Sequence, residues 1–162
     1  MKAKALKDMQ VVSMEGGAVV GTVEQVLFDT ENLRVAALMI VATDGQSLLP
    51  FASVRSIGAD AVTVENATAS AAALPNDASG LLELNDFVGL PVLTGEGTEV
   101  GQVADITIDP TDGQITELAV HHGGRFGIGG TGMSVAGSAI RGIGPTVVTV
   151  EASAARDTPP AP

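Results

Sequence analysis

The residues of this 162-residue chain that could do chemistry are concentrated in one glycine-rich stretch, HHGGRFGIGGTGM, which begins at His121. It holds both histidines of the chain, His121 and His122, together with Arg125 and Phe126. A glycine-rich loop that carries imidazole, guanidinium and phenyl groups could contact a protein partner, an anion or a metal ion. We therefore take these four side chains as candidate contact residues for a partner or ligand.

Neither a metal site nor a phosphate-binding loop is predicted in this stretch. Adjacent residues of a strand point to opposite faces, so His121 and His122 cannot both bind one ion without a bulge. Metal sites usually have three or four ligands, and no companion cluster lies nearby in the sequence. The glycines lack the Gly-Lys-Ser/Thr element of a phosphate loop. We expect no metal and no cofactor. The simpler alternative to a contact role for this stretch is an elongated hairpin that exposes two polar histidines.

Two aspartates, Asp29 and Asp109, recur at strand ends directly before turns. Two close carboxylates can share a proton, as in a catalytic pair. An aspartate before a turn, however, commonly accepts hydrogen bonds from the backbone that follows it. We predict this turn role for both, beside Gly113, whose backbone is free to take positive φ. No nucleophile elbow of the G-x-S-x-G type is present, so we predict no catalytic residue and no enzyme.

These candidates lie in a chain that repeats itself. VGTVEQVLFDTENLRVAALMI in the first half matches VGQVADITIDPTDGQITELAV in the second at one offset, and SVRSIGADAVTVE matches SAIRGIGPTVVTVE. Self-similarity at this scale indicates a duplicated folding unit, so shared positions are most simply structural. The paired positions include Gly21 and Gly101, Asp29 and Asp109, and Arg55 and Arg141.

Each unit is predicted to consist of short strands separated by turns, which is typical of a small barrel. In the first unit we expect one strand to run from Ser47 to Val54, with Pro50 at a bulge or edge, and Asn32 to be left-handed. The second unit restarts at Leu84, as LND echoes LKD in the first. We predict one barrel over residues 1–66, an Ala-rich, flexible or partly helical linker over 67–83, a second barrel over 84–152 and a disordered tail over 153–162.

Composition excludes several classes of protein. The net charge is −11 and aromatic residues make up 2%, which disfavours nucleic-acid binding, since that requires clustered Lys and Arg and aromatic faces. No apolar run approaches the roughly 18 residues of a membrane span. The N-terminal sequence MKAKALKDMQ lacks the apolar region of a secretory signal. We therefore expect a soluble, cytoplasmic protein.

The ordered motifs of both halves resemble the PRC-barrel family, named for the cytoplasmic domain of the photosynthetic reaction-centre H subunit. The second unit departs from the family pattern by having Ala136-Gly137 where the first has Pro50-Phe51, and Gln25 stands where the second has Asp105. The motifs of the first unit are GAVVGTV at 17–23, Asp29 and LPFASV at 49–54; those of the second are GTEVGQVADI at 97–106, Asp109 and GQI at 113–115.

The resemblance implies an all-β fold of two tandem small β-barrels, forming one compact body or an intertwined dimer. It also implies a docking function and no catalytic activity, because the family consists mainly of docking modules. The family includes stand-alone bacterial proteins. We therefore expect a non-enzymatic scaffold or adaptor that binds a protein partner of unknown identity. The alternative is a small-molecule or ion-binding regulatory protein that uses the His121–Gly132 loop. Homo-oligomerisation and peripheral association with a membrane complex stay open.

Overall fold

The fold consists of β-strands arranged in two similar units. The computed structural model describes residues 1–43, 45–65, 81–122 and 131–151. The predicted tail and residues 67–80 of the predicted linker lie outside these ranges. The strands of the first unit are β1 (Gln10–Ser13), β2 (Val19–Asp29), β3 (Arg34–Ala42), β4 (Gly45–Pro50), β5 (Val54–Ile57) and β6 (Ala61–Val64). The second unit contains β7 (Leu81–Glu83), the one-turn helix α1 (Leu84–Phe87), β8 (Pro91–Thr94), β9 (Glu99–Ile108), β10 (Ile115–His122), β11 (Thr131–Ala136), β12 (Ile140–Ile143) and β13 (Val148–Val150).

Both units have the same topology, which confirms the prediction of an all-β fold with two tandem barrels. The first sheet has the order β4-β3-β2-β1-β6-β5, and the second has the order β11-β10-β9-β8-β13-β12. In each sheet one pair of strands is parallel, β1 with β6 and β8 with β13, while the other neighbours are antiparallel. The duplication seen in the sequence is therefore a duplication of a complete sheet.

Strand β2 shows how the sequence pattern produces the curved sheet. Its first half alternates between inward residues such as Val23 and outward ones such as Thr22, as a half-buried strand should. The pairing register with β3 then shifts between Val23 and Gln25, which marks a β-bulge. After the bulge, residues 25–28 are buried one after another. Simple alternation stops there because β7 and α1 of the second unit pack against this half of the strand.

The predicted strand over Ser47–Val54 is interrupted by a corner. Pro50 ends β4, and a 3-10 turn over Phe51–Ser53 leads into β5. Proline cannot donate a backbone hydrogen bond, which suits the end of an edge strand better than the middle of a long one. The second unit builds the same corner with a 3-10 turn over Gly137–Ala139, although it lacks the Pro-aromatic pair.

Two details of the predicted repeat are wrong, one in the first turn and one in the alignment of the openings. The left-handed position in the first turn is Leu33 (φ 54°) rather than Asn32, and it corresponds to Gly113 (φ 77°) in the second turn. Leu33 is held in this conformation because its carbonyl accepts a hydrogen bond from the Ile115 N–H (N···O 2.9 Å). A pairing between the two units thus overrides the local preference of Asn for such a conformation.

The openings of the two units also align differently from the LKD and LND echo, which sets Asp8 against Asp86, three residues before its structural counterpart. Asp8 (φ 72°) corresponds to Gly89 (φ 99°), since their N–H groups donate to the carbonyls of Val23 and Val103 respectively. In the structural alignment, Leu6 of the first unit is the counterpart of Phe87 in the second. Both residues are completely buried.

Residues 81–83, which the sequence assigned to the linker, form strand β7. This strand pairs antiparallel with β2, with Leu27 opposite Glu83 and Asp29 opposite Leu81. Strand β1 covers only the first part of β2, up to Thr22. The later part of β2 therefore has an unpaired edge, and β7 satisfies its backbone groups.

An approximate two-fold axis relates the two units and passes between Arg34 and Gln114. These equivalent residues form an isolated antiparallel bridge. On either side of it, the Val35 N–H donates to the Gly113 carbonyl (2.8 Å) and the Ile115 N–H donates to the Leu33 carbonyl. The units thus exchange equivalent bonds through equivalent residues.

The N-terminal arms of the two units are exchanged in the same way. Lys2 bridges Thr107 of β9, and the Ile108 N–H donates to the Met1 carbonyl (2.7 Å). Glu83 pairs with Leu27 of β2 in the corresponding position. Each unit therefore completes a strand edge of the other.

One hydrophobic core runs through both units. Phe28 of the first unit and Phe87 of the second are fully buried and meet edge to face, with ring centroids 5.2 Å apart and an interplanar angle of 82°. A unit of about 60 residues is marginal alone, so the shared core stabilises both. Within the ranges described above, no helix has the length and apolar character needed to cross a membrane.

Candidate functional site

The two histidines lie in the hairpin formed by β10 and β11. His121 pairs with Gln102 of β9 and Gly132 of β11, and His122 pairs with Thr131. The predicted loop over His121–Gly132 is therefore strand at both ends, because backbone pairing continues further than the glycine content suggests. His121 is exposed on the outer face. Arg125 and Phe126 lie outside the described residues.

No group of three or more His, Cys, Asp or Glu side chains that could hold a metal ion is present in the ranges that the structure describes.

Asp29 organises the turn between β2 and β3. Its carboxylate accepts hydrogen bonds from the Glu31 N–H (2.9 Å), the Asn32 N–H (3.1 Å) and the Asn32 side-chain amide (2.7 Å). The bond from the Asn32 side chain is the main cause that lowers the pKa of Asp29 below its ordinary value of 3.8. The carboxylate is held ionised by its own turn.

Asp109 occupies the equivalent place between β9 and β10. Its carboxylate accepts a hydrogen bond from the Thr111 N–H (2.8 Å), and its carbonyl accepts one from the Gly113 N–H (2.7 Å). Asp109 and Asp29 thus each bond to the turn that follows them, in the geometry expected of Asx turns.

Gly21 and Gly101 lie where neighbouring strands approach too closely for a side chain. A Cβ atom on Gly101 would lie 2.5 Å from the His121 carbonyl oxygen and 2.8 Å from a methyl group of Val120. A Cβ atom on Gly21 would overlap a methyl group of Ile40 and lie 2.8 Å from the Val41 oxygen. The structure places these two glycines at the same crossing in both barrels.

The matched arginines form equivalent ion pairs in the two barrels. Arg55 forms an ion pair with Glu65, and Arg141 forms one with Glu151 (N···O 3.2 Å). All four side chains are about half or more exposed. Exposed pairs of this kind contribute little to stability, so they stabilise the last strand of each barrel only slightly.

A groove of about 200 Å³ lies between the two units. Phe51, Val54 and Ile57 line it from the first unit, and Pro110 and Thr111 line it from the second. Arg55 and Ser56 also line it, so its walls are mixed polar and apolar.

The clearest difference between the two barrels is on their outer faces, and the sequence reading missed it. We call Val12, Met14, Val19 and Val41 the first-barrel patch. Val12 pairs with Val19 across β1 and β2, and Met14 follows in the turn directly after β1. Met14, Val19 and Val41 are 53%, 57% and 37% exposed. Large apolar side chains therefore face solvent where a sheet surface is usually polar.

The second barrel carries a different set at the equivalent positions. Leu93 pairs with Glu99 as Val12 pairs with Val19, and His121 pairs with Gln102 as Val41 pairs with Thr22. The position of Met14 is taken by Gly95. The residues equivalent to the patch are thus Leu93, Gly95, Glu99 and His121.

One glutamate lies at each end of the first-barrel patch. Glu15 follows Met14, and its N–H donates to the Glu65 carbonyl (3.0 Å), which brings the ends of β1 and β6 together. Glu24 accepts a hydrogen bond from the Gln46 side chain (3.1 Å), next to Val41. The sequence does contain a signal for this site, because Val19 in the first half corresponds to Glu99 in the second. The difference indicates a surface patch only when the outward-facing positions are known.

Comparison with known proteins agrees with the topology. The family model described as PRC-barrel domain matches the chain twice, over residues 1–70 and 80–151. No curated protein matches the chain. The two matched segments correspond to the two units described above.

Proposed function

The chain belongs to the PRC-barrel domain family, and from this premise we propose that it is a non-enzymatic adaptor that binds protein partners through the outer faces of its two barrels. The proposal keeps the cytoplasmic location expected from the sequence.

The observation that carries this proposal is the unequal exposure of the two outer faces. The barrels share their cores, turns and strand crossings, yet Val19 and Met14 of the first face solvent where Glu99 and Gly95 stand in the second. Exposed apolar clusters with a polar rim are typical of interaction sites. Two related faces that differ in chemistry suit a protein that holds two contacts at once, and such linkage raises the overall affinity.

The polar groups that could suggest catalysis make structural hydrogen bonds and ion pairs instead. Asp29 and Asp109 bond to their own turns, and Arg55 and Arg141 form exposed ion pairs. These assignments support a binding role rather than an enzymatic one.

Site-specific photo-crosslinking tests the adaptor function. We would introduce p-benzoylphenylalanine in place of Thr22 on the first outer face and in place of Gln102 on the second, and irradiate cells that express the full chain. We expect the same protein to be crosslinked reproducibly from at least one face. An exposed position in the turn between β2 and β3, Glu31, provides the control that should give none. If neither face crosslinks to any protein and the chain stays a lone monomer, the adaptor function is wrong.

The alternative, a regulatory protein that binds a small molecule or ion, depends on residues 123–130, which lie outside the described residues. Shortening this segment in the crosslinking experiment separates the two functions. An adaptor that works through its outer sheet faces should keep its crosslinks after the change.

A further inference from the structure

We propose that the first-barrel patch binds a segment of a partner protein in which apolar side chains are flanked by lysine or arginine. The inference rests on the proposed adaptor function and names the chemistry of the partner. It follows from the composition of the patch, of its rim and of the equivalent surface on the second barrel.

The centre of the patch can bury apolar side chains of a partner. Val12 and Val19 lie opposite each other on adjacent strands, and Met14 follows two residues after Val12, in the turn that ends β1. Cross-strand partners in a sheet have their Cβ atoms about 5 Å apart, so Val12 and Val19 form one contiguous surface, and the exposed Met14 lies next along the chain. Methionine is flexible and adapts to partners of different shape. Val41 lies opposite Thr22 on β3 and adds exposed apolar area on a third strand, on the far side of Thr22.

The rim of the patch is acidic at both ends. Glu15 lies beyond Met14, and Glu24 lies beside Val41. Glu65, near Glu15, is already paired with Arg55. The other outward residues of these strands next to the patch, Gln10 and Thr22, are neutral. A partner whose apolar residues fill the centre would therefore gain from cations at its two ends.

The same charges disfavour the other occupants of an apolar face. A second copy of the chain would bring two acidic rims together, and each copy carries a net charge of −11. An anionic lipid surface or a nucleic acid would be repelled for the same reason. The observations thus select a basic and apolar protein segment.

The second barrel is a built-in comparison for this surface. At the matching positions it has Gly95 for Met14, Glu99 for Val19 and His121 for Val41. It keeps an acidic surface without the apolar cluster, so it should attract cations but offer little apolar area. Binding that depends on both features should therefore occur on the first barrel.

Three synthetic peptides test the inference on the full chain: KRLVLVLRK, the acid-flanked EDLVLVLDE and the non-apolar KRSGSGSRK. Titrations are followed by NMR of ¹³C-labelled Met and Val methyl groups and by calorimetry. We expect the first peptide to shift the methyl signals of Met14, Val19 and Val41 and to bind more tightly than the other two. The proposal is overturned if all three bind alike, if none binds, or if the shifts centre on the second barrel.

Matched variants separate the two parts of the surface. Val19→Thr with Val41→Thr keeps shape and charge and should weaken binding of the basic apolar peptide by about tenfold or more, since apolar contact area is lost. Glu15→Gln with Glu24→Gln should lower both the affinity for the basic apolar peptide and the salt dependence of its binding. Glu99→Gln on the second barrel is the charge control and should leave affinity within about twofold. Equal loss in the control would show that overall charge alone attracts the peptide and would refute the site.

The result can be read separately from that of the crosslinking experiment. If a partner is crosslinked but the peptide series shows no preference for the first-barrel patch, the adaptor function stands and this partner class is wrong. If the peptides bind as expected but no protein is crosslinked in cells, the surface chemistry is right and the adaptor function is wrong.

Discussion

Replacing Gly101 with alanine should test whether the close strand crossing is what requires glycine at this repeated position. The new Cβ atom would lie 2.5 Å from the His121 carbonyl oxygen and 2.8 Å from a Val120 methyl group. The first of these is a backbone atom, so it cannot move without disturbing the pairing between β9 and β10. The backbone at Gly101 also has φ 146°, a conformation that other residues rarely adopt.

The expected loss follows from three contributions. Overpacking costs about 1–3 kcal/mol, and the backbone conformation costs about another 1–3 kcal/mol. Replacing glycine restricts the unfolded chain, which returns roughly 0.4–1 kcal/mol. We therefore expect the free energy of unfolding to fall by about 1–5.5 kcal/mol, which for a chain of this size lowers Tm by about 2–20 °C.

Thermal and urea denaturation of purified full-length variants measure this loss. Gly21→Ala has a similar clash but no positive φ, so it should lose less than Gly101→Ala. Gly58→Ala is the control, because its Cβ would make only an ordinary contact at 3.6 Å with the Ala61 oxygen. A Gly101→Ala variant that melts within about 2 °C of the wild type, below the shift worth about 1 kcal/mol, would refute the clash argument. Equal losses in Gly58→Ala would do so too.

Two further predictions concern the joint between the units and the turn at Asp29. Phe28→Ala and Phe87→Ala should each lower the free energy of unfolding by about 3–5 kcal/mol, since both rings are fully buried between the units. Urea unfolding should remain a single transition, and two separate transitions would contradict a shared core. Asp29→Ala should destabilise the protein at pH 7. Because folding lowers the pKa of Asp29, its stabilising effect is present above 3.8 and is lost as pH falls through the folded-state pKa. The difference in Tm between wild type and Asp29→Ala should therefore shrink below about pH 4, and a constant difference down to pH 2 would show that ionisation is not involved.

Much of the fold could be predicted because it depends on local signals that occur twice. Alternating apolar residues indicate the strands, and Asp29, Asp109 and Gly113 mark the turns. The features that were missed depend on distant parts of the chain. Strand β7 exists because the later half of β2 has an open edge, and no local pattern in LLE reports that edge. Leu33 is left-handed because its carbonyl bonds to Ile115 of the other unit.

The candidate site was only partly accessible from sequence for a related reason. Comparing the two halves directed attention to the insertion around His121, where length differs most. The more informative difference, Val19 against Glu99, is a single substitution within a matching strand. Whether such a residue is outward depends on the bulges that shift the pairing of β1 with β2 between Val11 and Val12. A one-residue shift of this kind moves a side chain to the other face.

The exchange of arms between the units has a consequence for the order in which the protein can fold during synthesis. The first sheet is complete in sequence at Val64, but the strand that covers the edge of β2 begins at Leu81, and the bond to Leu33 comes from Ile115. A ribosome that adds roughly 5–20 residues per second needs roughly 2.5–10 s to make the 50 residues from 66 to 115. During that time the nascent first barrel presents an apolar edge that ends up inside the finished protein. Factors that bind nascent chains should therefore associate with this protein in that interval, and pausing the ribosome before residue 115 should prolong the association.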